Sequence, residues 1–177
     1  MSLEIRTDTK AFRPFLARDL VLVGAASVTV CWDARLLDAH ATNGLALAVG
    51  VAAGVLFALA SFLAHEWGHW LGAVLTGGIV HPPKGLSSFF LFFFDTGKST
   101  RRQFLAMSYG GYLATLGALG LLAAWARSDT PSGRTALLLA GVGMTITAAL
   151  EIPETWRVAR GGPLPSGFVF VGPESKG

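Results

Sequence analysis

The chain has 177 residues, of which 52% are apolar and only 14% are charged, and its mean hydropathy is +0.53. This composition excludes an ordinary soluble domain and predicts an integral membrane protein. The net charge of +3 does not indicate nucleic-acid binding, because the basic residues lie between apolar segments and form no single patch. The single cysteine, Cys31, excludes an internal disulfide.

The N-terminal segment, residues 1–19, is polar and mixed in charge, without the pattern of a cleavable signal peptide. The first apolar span runs from about Leu20 to Leu37, and Asp33 and Arg35 near its far end are expected to reach the interface. We predict one transmembrane domain over residues 20–157, followed by a tail rich in glycine and proline, residues 158–177, in which residues 168–171 are a candidate short strand.

The second span, Leu45–Leu75, is longer than the roughly 20 residues that a helix needs to cross a bilayer. It contains His65-Glu66-Trp67-Gly68-His69, which fits the pattern H-E-x-x-H. Residues four apart share one helix face, so both imidazoles can reach one metal ion while Glu66 projects beside it. Metalloproteases use this pattern to hold zinc and to place a general base.

Two interpretations of this motif follow from its apolar surroundings. Ionisable side chains are costly in a lipid-facing span and are therefore functional by default, which favours a metal site. The alternative is a helix end at the headgroup boundary, where histidine and tryptophan are frequent.

An aromatic run, Phe89–Phe94, lies in the connection between spans two and three, residues 77–102. The run is too short to cross a bilayer as a helix. It predicts either a strand or re-entrant element, whose unpaired edge could accept an extended peptide, or a hydrophobic anchor at the interface. The sequence does not decide between them.

The third span, Phe104–Trp125, carries small residues four apart, which let helices approach closely and are expected to bring spans two and four together. These pairs are Gly110 with Ala114, Gly111 with Thr115, and Gly120 with Ala124. The fourth span, from Thr135 to Leu150, is short unless residues 151–154 also lie in the membrane. The predicted fold is an all-α integral membrane protein with about four transmembrane helices and a short strand or re-entrant segment between helices two and three.

The distribution of basic residues predicts the orientation. Eleven of the 14 lysines and arginines lie in the N-terminal segment, the connection after span two and the tail, which predicts that both termini are cytoplasmic. We expect a multi-pass protein of the cell (inner or plasma) membrane. The motif then lies at a similar depth to Glu151 and Glu154 of span four, near the cytoplasmic side.

Zinc needs a third protein ligand, which is often a carboxylate in catalytic sites, so a span-four glutamate is the natural candidate. His81 and Asp95 are weaker candidates, because both are expected at turns. His40 lies in the opposite loop and is set aside.

The stretch Ala64–Ala73 resembles the H-E-x-G-H-x-x-x-A stretch of the site-2 protease family of intramembrane zinc metalloproteases, and the similarity covers roughly residues 45–157. The resemblance implies Zn²⁺ held by His65, His69 and a carboxylate of span four, with Glu66 as the general base. It also implies a membrane-protein substrate, cut within or near a transmembrane segment. A regulatory partner or a homo-oligomer stays open.

Two departures from the family accompany this resemblance. The family's Gly-Pro-x-x-Asn stretch is replaced by residues 111–115, Gly-Tyr-Leu-Ala-Thr, and the Leu-Asp-Gly motif that carries its third ligand is absent. The nearest equivalent is Glu151-Ile152-Pro153-Glu154, in which Glu154, following Pro153, is the first choice and Glu151 the second. These departures favour the alternative function, a catalytically inactive member that acts as a metal-binding or partner subunit.

Overall fold

Four long helices dominate the structure, a computed structural model that describes residues 7–38, 44–88, 90–167 and 170–171. They are α1 (Arg13–Asp38), α2 (Gly44–Leu75), α3 (Arg101–Trp125) and α4 (Pro131–Ala159). Each is long and apolar enough to cross a membrane. The predicted all-α membrane fold with about four spanning helices is confirmed.

The helix boundaries differ from the predicted spans at two places. A 3₁₀ turn, Thr9–Phe12, leads directly into α1, so the helix begins at Arg13 and not near Leu20. The fourth helix starts at Pro131, where the Thr130 side chain caps its first turn, and it continues through Pro153. Residues 151–154 therefore belong to the helix and do not interrupt it.

Asp33, near the far end of α1, is buried between helices. It is only 5% exposed and packs where α2 meets the start of α4, while its expected position at the membrane interface stays a prediction. The first turn of a helix carries partial positive charge from its free amide groups, which favours a carboxylate there. Tertiary packing thus draws Asp33 inward.

A small sheet has three strands in the order β1 (Val80–His81), β2 (Phe93–Asp95) and β3 (Phe170–Val171); β1 and β2 lie between α2 and α3 in the chain, and β3 follows α4. The first two strands are antiparallel, and β3 runs parallel to β2 on its other side. The strand interpretation of the aromatic run therefore holds for its last two residues, and β2 has no unpaired edge. The candidate strand in the tail is present at Phe170–Val171. Phe89, residues 168–169 and His40 lie outside the described residues.

The aromatic run packs into the protein core. Leu91, Phe92 and Phe94 are between 1% and 7% exposed, and they join a cluster that links the start of α1, the sheet and the ends of three helices: Phe12, Phe15, Ala73, Val80, Leu91, Phe92, Phe94, Phe104, Met107 and Val158. An interfacial anchor would expose these rings to lipid headgroups. The observed burial excludes that alternative for these three residues.

Glycines bring α2 and α3 into direct backbone contact. A Cβ atom on Gly110 would overlap the carbonyl of Gly68, and one on Gly72 would overlap the carbonyl of Ala106. The predicted small-residue interface is thus present at Gly110. It is absent at Gly120, where a Cβ atom would meet nothing within 4 Å.

The contrast within α3 gives a first prediction. Gly110→Ala should force the two helices apart and lower the free energy of unfolding by about 1–3 kcal/mol, as overpacking does elsewhere. The control is Gly117→Ala, which has open space around the added methyl group. Thermal unfolding in detergent, followed by circular dichroism, measures both; equal midpoints for the two variants would contradict the packing argument.

Candidate metal centre

Two imidazoles from consecutive turns of α2 meet inside the bundle. His65 and His69 are 5% and 7% exposed, and their Nε2 atoms lie 2.9 Å apart. The rings are nearly perpendicular, with centroids 4.3 Å apart. Their spacing along the helix brings both Nε2 atoms to one point.

Glu151 of α4 supplies a carboxylate at the same point. Its Oε1 lies 3.2 Å from Nε2 of His65, and its Oε2 lies 3.3 Å from Nε2 of His69. One donor atom from each of these three residues falls within 4.8 Å of the other two. The three side chains are therefore the candidate ligand set.

Glu154 has a different partner, since its carboxylate is paired with the guanidinium of Arg157 one turn further along α4. The structure brings Glu151, and not Glu154, to the histidines, which reverses the order in which the sequence ranked them. A three-residue step along a helix advances about 4.5 Å and leaves the side chain about 60° out of line. The sequence ranked Glu154 first because it follows Pro153, and that order does not determine which of the two glutamate side chains faces the histidines.

The outer nitrogens of both rings are held by α3. Nδ1 of His69 lies 2.9 Å from the Met107 carbonyl, and Nδ1 of His65 lies 2.8 Å from the Thr115 hydroxyl and 3.3 Å from the Gly111 carbonyl. The Met107 carbonyl only accepts, so its contact requires a proton on Nδ1 of His69, whereas the Thr115 hydroxyl can donate to Nδ1 of His65 or accept from it. A neutral His69 ring with its proton on Nδ1 presents the lone pair of Nε2 to Glu151.

Gly111 makes room for this arrangement, because a Cβ atom there would overlap the His69 ring. The sequence analysis assigned Gly111 and Thr115 to helix packing and missed their contacts with the histidines. The sequence held a signal for these contacts, since both residues lie in the stretch that, on the resemblance to the site-2 protease family, stands in place of Gly-Pro-x-x-Asn.

The donor set fits a zinc ion. Bonds of about 2.0–2.1 Å in a tetrahedral site place neighbouring donor atoms about 3.3–3.4 Å apart. Each imidazole lies near that distance from one oxygen of Glu151, 3.2 Å for His65 to Oε1 and 3.3 Å for His69 to Oε2, and the two Nε2 atoms are closer together, at 2.9 Å. Oε2 of Glu151 is buried and makes no hydrogen bond among the described residues, and its near neighbour is Nε2 of His69 at 3.3 Å. Two imidazole nitrogens and a carboxylate that converge on one point are a ligand set that zinc takes.

Glu66 lies beside these groups in the same cavity. Its side chain is buried, and Oε2 accepts a hydrogen bond of 3.2 Å from the backbone N–H of Leu91. The cavity has a volume of about 500 Å³ and is lined by the three candidate ligands, by Glu66, and by mostly apolar side chains; Glu154, paired with Arg157, also borders it. A carboxylate and a candidate metal site thus share one largely apolar chamber.

The segment that carries Leu91 is fastened to α1. The Arg18 guanidinium donates to the carbonyls of Leu86 and Ser88, at 2.7 and 3.0 Å. The buried Asp19 accepts from Arg18 at 2.7 Å and from the Trp67 indole at 2.8 Å. The predicted N-terminal segment therefore ends inside the packed structure, next to the motif.

His81 and Asp95 lie apart from the metal centre, in the sheet. Nε2 of His81 is 3.1 Å from Asp95 Oδ2, and the backbone N–H of Lys98 donates to Asp95 Oδ1 at 3.0 Å. Burial favours a higher pKa for Asp95, but the hydrogen bonds from His81 and Lys98 outweigh it and lower this pKa below its ordinary value. Both residues end a strand: Asp95 is the last residue of β2, and its side chain accepts from Lys98 across the turn that follows, whereas His81 is the last residue of β1.

No protein-family model, curated protein or solved structure matches this chain. The resemblance to the site-2 protease family stays a prediction from the residues of the second span.

Zinc binding distinguishes the two glutamates of α4. Glu151→Ala should lower zinc affinity by more than about 100-fold, because losses of that size already follow from removing outer partners of a ligand. Glu154→Ala is the matched control and should retain zinc. The measurement is the metal content of detergent-purified protein after dialysis against a graded zinc buffer. Loss of zinc in Glu154→Ala alone would show that Glu154, and not Glu151, is the third ligand.

The Thr115 hydroxyl provides a further test of the site. Thr115→Val keeps the volume of the side chain but removes the nearer of the two partners of His65 Nδ1 and leaves the Gly111 carbonyl, so zinc affinity should fall about 10-fold. Thr145→Val is a suitable control, since its hydroxyl bonds only within α4. Competition with a chromophoric chelator measures the zinc affinity of both variants. An unchanged zinc affinity in Thr115→Val would show that the hydroxyl does not support the site.

Proposed function

We propose that this chain is an intramembrane zinc metalloprotease that hydrolyses a peptide bond within or near a transmembrane segment of a membrane protein. One observation carries the proposal: His65, His69 and Glu151 converge in the cavity that also holds the buried carboxylate of Glu66. Two histidines, a carboxylate and a separate acidic residue form the set that catalytic zinc sites of peptidases use. Residues of α2, α3 and α4, three helices of membrane-spanning length, line this cavity.

The zinc ligands would be the two Nε2 atoms and the Glu151 carboxylate. When bound, zinc activates a water molecule and polarises a carbonyl group. Glu66 takes a proton from the attacking water and delivers it to the leaving amine. The Leu91 N–H fixes the orientation of the Glu66 carboxylate, and the carbonyls of Met107 and Gly111 fix the two rings.

The apolar lining of the cavity contributes to the chemistry. The rings of Phe92, Phe94 and Phe104 border the same space as the carboxylate of Glu66. Excluding bulk water strengthens electrostatic interactions within the site and limits side reactions. An apolar polypeptide segment in the cavity would lie next to these rings.

The orientation follows the charge distribution. With both termini cytoplasmic, the candidate ligands lie toward the cytoplasmic end of α2, where water has a short path to the site. The protein would be a multi-pass component of the cell membrane. Its substrate would enter from the surrounding bilayer.

A catalytically inactive subunit is the second candidate, favoured by the missing Leu-Asp-Gly motif and the altered Gly-Pro-x-x-Asn stretch. The geometry of Glu66 argues against it. A structural zinc site is closed by four protein ligands and needs no base, whereas here only three candidate ligands meet among the described residues and a fourth acidic group is held nearby by Leu91.

The test of the proposal is Glu66→Gln. It should bind zinc as the wild type does, since it removes no ligand, and reduce turnover by at least about 10²–10⁴-fold, the contribution of a positioned general base. The assay uses proteoliposomes that contain the chain and a single-span reporter with a tagged transmembrane segment. Glu154→Gln is the control and should cleave normally.

Two results would contradict the proposed mechanism. Full turnover in Glu66→Gln would show that Glu66 is not the general base. A wild-type protein that binds one zinc ion per chain but cleaves none of a panel of reporters would favour the inactive subunit.

A further inference from the structure

The C-terminal strand β3 covers the edge of β2 that β1 leaves free. Phe94 and Asp95 pair in parallel with Phe170 and Val171. The backbone N–H and the hydroxyl of Thr96 both donate to the Val171 carbonyl, at 2.9 and 3.2 Å. The strand that borders the candidate active site is thus completed by the chain's own tail.

The tail is anchored before it reaches the sheet. The Arg101 guanidinium donates to the Gly161 carbonyl at 2.8 Å, and Gly161 has a φ of +98°, which turns the chain back after α4. Beyond this anchor, β3 has two residues in the ladder. So short a strand can open locally while the anchor stays in place.

The side chain of Phe170 lies in the cavity of the candidate active site. Its ring centroid is 5.8 Å from that of Phe104, and it lines the space shared by Glu66 and the three candidate ligands. Val171 points away and is 44% exposed. The tail therefore contributes both an added strand and a large apolar side chain at the site.

We propose that β3 is an internal occupant of the substrate site. An extended polypeptide substrate takes its place on β2, runs parallel to β2, and puts a large apolar side chain where Phe170 lies. Addition of a strand to a sheet edge supplies backbone hydrogen bonds, and the pocket for alternate side chains supplies selectivity. The substrate class rests on the proposed function, whereas the exchange of strands does not require zinc or turnover.

This arrangement selects among membrane segments. A transmembrane helix satisfies its backbone internally and must unwind before it can pair with β2. It must also displace β3, which belongs to the same chain and therefore competes at an effective concentration in the millimolar range, as expected for a short flexible linker. Segments that extend readily and carry a large apolar residue are the ones that succeed.

The first experiment locks β3 in place. Asp95 and Val171 are register partners on adjacent strands, about 4.8 Å apart, which a disulfide can bridge. The protein is the full chain with Asp95→Cys and Val171→Cys, in a background of Cys31→Ser and Glu66→Gln that removes the free thiol and prevents cleavage. Asp95→Cys alone in that background is the control.

The probe is a fluorescent peptide with the sequence of residues 164–173, and its binding in detergent is followed by anisotropy. Oxidation should weaken peptide binding by at least about tenfold, because the disulfide removes the population of molecules in which β3 has left the edge of β2. A phosphine reductant should restore peptide binding. The control should bind equally in both conditions. Equal binding by the oxidised and reduced double variant would overturn the proposal.

A second pair of variants keeps the test independent of the disulfide. Phe170→Ala weakens the internal occupant and should raise the apparent affinity for the peptide about tenfold. Val171→Ala keeps the backbone ladder and changes only an exposed side chain, so it should bind the peptide as the parent does. A peptide with alanine at the position of Phe170 should bind weakly; equal binding of both peptides would contradict the apolar subsite.

These measurements separate the inference from the proposed function. Peptide exchange at β2 in a protein that never cleaves a reporter would support the strand exchange and count against the protease. For cleavage the lock is made with Glu66 retained, as Asp95→Cys and Val171→Cys in Cys31→Ser alone. Equal reporter cleavage by its oxidised and reduced forms would support the protease and count against the strand exchange.

Discussion

The backbone contact between α2 and α3 is the constraint on which the rest of the structure depends. Gly68 and Gly110 let the two helices touch without side chains between them. Only at this distance can the carbonyls of Met107 and Gly111 reach the outer nitrogens of the two histidines. The contact that packs the helices therefore also fixes the rings, and Gly111 leaves the space that the His69 ring occupies.

Burial of ionisable groups in an apolar bundle requires compensation, and the candidate metal centre supplies most of it. An isolated carboxylate in a low-dielectric interior is strongly unfavourable. Glu151 faces two imidazoles and Glu66 accepts a backbone N–H. Away from that centre, Asp19 is held by Arg18 and the Trp67 indole. These three acids are thus each held by at least one polar partner, and a cation at the candidate metal centre would complete the compensation there.

The segment between α2 and α3 connects the helix packing to the candidate metal centre. It is held to α1 through Arg18, it donates the Leu91 N–H to Glu66, and it ends in the strand that the tail completes. A displacement at one of these contacts is transmitted to the others through a few covalent bonds. The orientation of the proposed base, the cover of the cavity and the edge offered to an extended segment are consequently properties of one short stretch of chain.

The sequence by itself determined the membrane class, the four helices and the paired histidines with their adjacent acid, because these depend on composition and on spacing along a helix. It did not determine which glutamate of α4 faces the histidines, since that depends on how α4 is rotated against α2. Nor did it predict the inward position of Asp33, the partners of the imidazole rings on α3, or the strand that the tail adds to β2. These features join residues far apart in the chain, and only the packing of the helices and the sheet brings them together.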